Sequence, residues 1–273
     1  MIDHPDQEME MRGFRWRAKH VAVLVIFTVL SSLTGCHRGA LPETELTVSA
    51  AASLLDAVED LKAAYEEETG VNVILNVGSS GALRRQIEQG APVDVFVSAS
   101  VQHVEELVEQ GKIEGESVVP LLTNTLVLIT PASATTRVKS FYDLTDDEVK
   151  RIAVAFPDSV PAGQYARESL EHLNLWDVLY DKFVFAKDVR QVLSYVEGEN
   201  AEAGFVYKSD VSISSKVKVA AEARSSWHQP IVYPAAVVAS TDHKEEAEAF
   251  LNFLQSREAE TVFKQYGFSL RKK

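Results

Sequence analysis

Beyond residue 44 the chain alternates between short β-branched runs and stretches in which apolar residues recur every three or four positions. Residues 46–49 read as a strand, and Leu54, Leu55, Val58, Leu61 and Tyr65 then fall at helical spacing until Gly70. The pattern predicts a strand over 71–77, a helix from Leu83 to its stop at Gly90, a strand over 93–98 and a helix over 103–110. This order predicts an α/β fold whose mixed, mostly parallel sheets carry helices on their faces. A change comes near Leu121. Strands are predicted over 125–130, 152–155 and 203–207, with a short helical turn over 146–150 and helices after Pro161 and Asp188. Residues 231–239 are apolar, and helices are expected over 245–254 and 258–266. No repeat or low-complexity linker separates the halves, so strands are expected to join them. The expected first domain takes residues 36–121 with 231–273, and the second takes 122–230. Ligands of open α/β sheets lie outside the carboxyl ends of the strands, so two such domains face each other across one cleft.

The first residues do not read as fold. Residues 11–20 are basic, with Arg12, Arg15, Arg17 and Lys19, and 21–30 are apolar apart from Thr28. This is the pattern of a secretory leader, and the run is short for a membrane span. Leu33, Thr34, Gly35 and Cys36 follow, and they resemble a bacterial lipobox, in which the cysteine is acylated and becomes the first residue after cleavage. Cys36 is the only cysteine, so no intrachain disulfide competes for it. Residues 1–10 are acidic, unlike the start of such a leader, which leaves Met9 and Met11 as alternative starts. The expectation is a signal peptide over 1–35 and an exported protein, periplasmic or at the cell surface, anchored by lipid on Cys36.

Charge narrows the partners. With 27 Lys and Arg against 40 Asp and Glu, the net charge is −13, which argues against nucleic acid. No long-range attraction steers an anion to such a surface, but screening over about 8 Å leaves local donors in control. His37, His103, His172, His228 and His243 show no metal-ligand spacing, and neither a G-x-S-x-G elbow nor a phosphate-binding P-loop is present.

Candidate chemistry sits in the strand-to-helix turns. AAASL over 50–54 and GSSGAL over 78–83 place Ser53 and Ser80 at helix N-termini, where unpaired N–H groups and a partial positive charge suit an anion. Each serine alone reads as a helix cap, with Ser53 and Asp56 spaced as an acidic capping box. Three later turns have similar character. Pro161 suits a first helical turn, with the small Ala162 and Gly163 exposing backbone. Asp188 suits an N-cap ahead of Val189, and Tyr207 ends a strand with its hydroxyl directed either into a cleft or into the core. Arg84 and Arg85 read as the solvated face of their helix.

Six segments in register, TVSAAASL, GSSGALRRQIEQGAPVDVFVSA, VPAGQYARESL, KDVRQVLSYVE, GFVYKSD and FKQYGF, resemble the periplasmic molybdate-binding proteins of molybdate ABC transporters, over about residues 46–270. The resemblance implies a two-domain periplasmic-binding-protein fold of type II that closes around an oxyanion held by hydrogen bonds alone. It implies donors from Ser53 and Ser80 in the first domain, and from the Ala162 and Val189 N–H groups and the Tyr207 hydroxyl in the second. These groups ligate the oxygens of molybdate or tungstate and not the metal centre. Gly81 stands where some relatives carry another hydroxyl residue. No cofactor and no catalytic residue is implied; the partners are the oxyanion and a membrane permease, and the protein is expected to be a monomer.

A pocket of donors suits fully deprotonated dianions and rejects phosphate, whose residual proton needs an acceptor. Sulfate has the same charge and shape, so a binder of sulfate or another tetrahedral oxyanion on this fold is the nearer alternative. A hydrolase built on Ser53 or Ser80 is more distant, because no histidine lies near either in sequence.

Overall fold

The computed structural model describes residues 44–134 and 138–270. The leader, the lipobox and Cys36 lie outside the described residues. Glu43–Lys273 forms one compact unit built on two sheets. The chain runs through β1 (Glu45–Ala51), a 3₁₀ turn (Ala52–Leu54), α1 (Leu55–Thr69), β2 (Asn72–Gly78), α2 (Ser80–Glu88), β3 (Val95–Val97), α3 (Val101–Glu109) and β4 (Val119–Thr123). It continues through β5 (Leu126–Pro131), β6 (Ile152–Ala155), α4 (Pro161–His172), α5 (Trp176–Leu179), β7 (Phe183–Ala186), α6 (Val189–Glu197), β8 (Ala203–Tyr207), α7 (Lys208–Ser212) and β9 (Val217–Glu222). It returns through β10 (Val232–Val237), α8 (Lys244–Phe253), α9 (Arg257–Gln265) and β11 (Ser269–Leu270).

The six-stranded sheet has the order β11-β4-β10-β3-β1-β2, and the five-stranded sheet β7-β6-β8-β5-β9. Both are mixed. β1 is parallel to β2 and β3, whereas β10 is antiparallel to β3 and β4. Likewise β6 is parallel to β7 and β8, whereas β5 is antiparallel to β8 and β9. Helical crossovers make the parallel pairs, and the strands by which the chain enters from the other sheet lie antiparallel to their neighbours. Leu122 pairs with Tyr233 and Leu270, so the chain leaves the six-stranded sheet after β4, at 124–125, and not at 121–122.

Alternation along β3 shows how the sheet is buried on both faces. Val95 and Val97 join the main core with Val48, Leu54 and Leu61, while Phe96 points the other way to Leu83, Ile87 and Leu107. With helices packed on both faces, the carboxyl ends of the strands are left as the place where the chain turns and where backbone polar groups remain available.

Candidate functional site

Those turns meet. Ser53 follows β1, Ser80 follows β2, Ala162 opens the helix after β6, Val189 opens the helix after β7, and Tyr207 ends β8. All five line one pocket, together with Ala51, Ala52, Gly78 and Ala99, whose small side chains leave the backbone uncovered. The space between the walls is about 210 Å³, part of it open to solvent. That is room for one compact group.

The walls present donors. In α2 the first intrahelical bonds run from the Ala82 and Leu83 N–H groups to the Ser79 carbonyl, in α4 from Gln164 to Val160, and in α6 from Val192 to Asp188. The Ser80, Ala162 and Val189 N–H groups precede these bonds and have no intrahelical acceptor. Three helix N-termini therefore place partial positive charge around one small space, with no lysine or arginine in its lining. The Tyr207 hydroxyl is fully buried and has no hydrogen-bond partner among protein atoms. Burial first, and then the neighbouring oxygen of Tyr233, push its pKa well above the ordinary tyrosine value, so it remains a protonated donor.

The two halves touch around this pocket. The Gly81 N–H donates to the Ser159 carbonyl at 3.1 Å, and the Tyr165 hydroxyl to the Ala99 carbonyl at 3.3 Å. Arg190, in the first turn of α6, donates from Nε to the Ala52 carbonyl at 3.2 Å and from Nη2 to the Ser53 carbonyl at 3.2 Å. It also pairs with Asp56, and its Nε lies 3.2 Å from Asp210. The guanidinium thus holds the Ser53 turn against the helix that begins at Val189 without entering the pocket.

Asp210 is completely buried, and its Oδ2 accepts the Tyr207 N–H at 3.0 Å. Burial pushes its pKa up to about 7, against the lowering effect of Arg190 and of the Tyr207 N–H. The folded chain therefore holds this proton to higher pH than the unfolded chain. Its contribution to stability is present in full below the ordinary carboxylate range and is lost as pH rises through about 7. The expected result is that Asp210→Asn gains stability relative to the wild type between pH 5 and pH 8 in denaturant titrations; parallel profiles for the two proteins would contradict the assignment.

The capping expectations need correction. Ser53 lies within the 3₁₀ turn and makes no cap bond, because its hydroxyl is engaged 2.9 Å from the Tyr233 hydroxyl. Asp56 completes no capping box, since its carboxylate turns to Arg190. Ser79 caps α2, accepting from the Ala82 N–H, and Ser80 is the first helical residue, with its oxygen accepting the Ala99 N–H at 2.9 Å. Asp188, the one carboxylate in the pocket lining, does cap α6, its Oδ1 accepting from the Gln191 N–H at 2.8 Å. Arg84 is not on a freely solvated face: it joins α2 to α3 by pairing with Glu88 and Glu106, while Arg85 is exposed. Tyr233, Asn124 and Arg190 had no sequence signal, because their partners lie more than a hundred positions away or across the pocket. Among the described residues no group of three or more His, Cys, Asp or Glu is placed to hold a metal ion, and no helix is long and apolar enough to cross a membrane.

Two α/β halves that meet over a pocket of backbone and hydroxyl donors define a solute-binding protein. Residues 46–269 match the bacterial extracellular solute-binding proteins, and the chain belongs to this family; it binds a solute and is not an enzyme. Among its relatives is YvgL of Bacillus subtilis, provisionally named an ABC transporter substrate-binding lipoprotein, 47% identical over 82% of this chain and 86% of its own. The molybdate-binding protein ModA of Escherichia coli is 37% identical over 84% of this chain and 90% of its own. The solved periplasmic molybdate-binding protein of Azotobacter vinelandii superposes with a TM-score of 0.75 at 29% identity, covering 83% of this chain and all of that one.

Proposed function

We propose that this protein captures molybdate, and tungstate, in the cleft between two closing domains and delivers it to the permease of an ABC transporter. Ser53 and Ser80 bind from one side, and the Ala162 and Val189 N–H groups and the Tyr207 hydroxyl bind from the other. We take the two sheets as the cores of the two domains, and Cys36 as the site of the lipid that anchors an exported monomer to a membrane. The observation that carries the reading is the Tyr207 hydroxyl, buried at the pocket wall without a protein partner and facing a space ringed by orphan N–H groups. A buried donor left unpaired costs about 1 to 3 kcal/mol, so a pocket that assembles several of them is built for a guest made of acceptors. The names of relatives that bind molybdate support the choice of guest, and the name of the lipoprotein relative supports the anchor.

Closure follows from dividing the shell. Each domain supplies part of the donor set, so an oxyanion on one wall alone leaves oxygen lone pairs unmatched, and the closed state gains affinity over the open one. Ser53→Ala and Ser80→Ala are each expected to weaken molybdate binding by about 1 to 3 kcal/mol in calorimetric titration. Unchanged affinity in both variants would remove the serines from the site.

A further inference from the structure

The Ser53 hydroxyl needs a direction if it is to act as a donor, and the residues behind it supply one. Asn124 lies where the chain crosses between the sheets. Its Oδ1 accepts the Thr125 backbone N–H at 2.9 Å, which identifies the other amide atom as nitrogen. That nitrogen lies 2.8 Å from the Ser209 hydroxyl and 3.4 Å from the Tyr233 hydroxyl, and it has only protons to give. Tyr233 is fully buried and has two hydrogen-bond partners, Asn124 Nδ2 and, at 2.9 Å, Ser53 Oγ, while the neighbouring Tyr207 hydroxyl makes no hydrogen bond with it. The amide cannot accept, so the Tyr233 proton goes to Ser53. The serine oxygen is then engaged as an acceptor on its inner side, and its own proton is left for the pocket.

We propose that Tyr233, oriented by Asn124, is a positioning residue that sets Ser53 as a hydrogen-bond donor toward the pocket and thereby selects fully deprotonated oxyanions over those that carry a proton. Tyr233 does not line the pocket; it hydrogen-bonds to Ser53 and packs edge-on against Tyr207, with ring centroids 5.8 Å apart. Ser80 reaches the same polarity by a shorter route, because the Ala99 backbone N–H takes up one of its acceptor lone pairs at 2.9 Å. Both serines thus present protons, and a monohydrogen oxyanion meets a proton where it needs a lone pair. The inference rests on the oxyanion reading above for its consequence, although the direction of the Tyr233 proton stands without it.

The test has two arms on the full chain. Neutron diffraction from perdeuterated wild-type crystals is expected to show a deuteron on Tyr233 Oη directed at Ser53 Oγ; a deuteron on Ser53 directed at Tyr233 overturns the relay whatever the protein binds. Calorimetry with molybdate and with inorganic phosphate forms the second arm. Tyr233→Phe is expected to weaken molybdate by about tenfold while phosphate changes by less than about twofold, so that their ratio falls. Asn124→Asp puts an acceptor behind Tyr233, frees Ser53 to donate inward, and is expected to cost molybdate affinity more than Tyr233→Phe does. Equal losses for both anions in Tyr233→Phe, or full molybdate affinity in Asn124→Asp, would reduce Tyr233 to packing and overturn the proposal. A wild type that takes up neither anion defeats the oxyanion reading, and the neutron map still decides the relay.

Discussion

Gly81→Ala is expected to leave the ligand-free fold as stable as the wild type and to weaken oxyanion capture by at least about tenfold. A Cβ at this position falls 2.5 Å from the Ser159 carbonyl oxygen and 3.0 Å from the carbon atoms next to it. These are backbone atoms across the cleft, and the Ser159 loop is pinned by its own turn, with the Ser159 and Val160 N–H groups bonded to the Phe156 carbonyl at 3.2 and 2.9 Å. The clash therefore exists only when the halves meet. Opening relieves it, and alanine suits the first turn of α2 better than glycine by up to about 1 kcal/mol, so the open form loses nothing. A penalty confined to the closed state appears as lost affinity, about tenfold for each 1.4 kcal/mol. Titration calorimetry beside thermal melting of the ligand-free protein separates the two effects. Wild-type affinity in Gly81→Ala would show that closure does not bring these atoms together.

The second large effect is Gly163→Ala, which is expected to cost stability instead. Here a Cβ falls 2.1 Å from the Ala155 carbonyl oxygen and 2.7 Å from its carbon. Ala155 ends β6, in the same half as α4, so opening the cleft gives no relief. The helix must lift off the sheet, at a cost of about 3 kcal/mol or more, which exceeds the gain of about 1 kcal/mol from replacing a helical glycine. Ala162 moves with the helix, so binding falls as well. The denaturation midpoint should drop sharply for Gly163→Ala and hold for Gly81→Ala. A midpoint unchanged in both would mean that the β6–α4 packing is looser than this geometry.

The contrast between the two glycines also shows what a linear sequence can express. Helix starts at Ser80, Pro161 and Val189 were legible because capping chemistry, proline and small residues are local signals, and all three belong to the pocket. Five candidate donors scattered over more than 150 positions come together because strand-to-helix turns fall on one edge of a sheet by construction. What was not legible is contact between distant segments. Capping was the natural reading for Ser53, since nothing near it announces a tyrosine 180 residues later. Asp56 looked like the acidic partner of a cap until Arg190 reached it from the other half. The edge strand β9 was missed because Lys218 and Glu222 interrupt its apolar pattern, as suits a strand with one open side. Gly81 reads simply as a helix-opening glycine, and only its distance to Ser159 gives it a part in closure.

An overall charge of −13 is compatible with such a site, because the donors act over hydrogen-bond distances in a space from which lysine and arginine are absent. Recognition without full positive charge also places selectivity in the hydrogen-bond pattern, where a proton on the guest becomes a direct conflict.

The most direct measurement is titration calorimetry of the purified protein against molybdate, with phosphate and sulfate as separate titrants. One molybdate bound per chain, with phosphate bound far more weakly, is the predicted result. Phosphate bound as tightly as molybdate, or no binding of molybdate at all, would contradict a donor-lined pocket for a deprotonated dianion, and sulfate bound as tightly as molybdate would contradict the choice of guest.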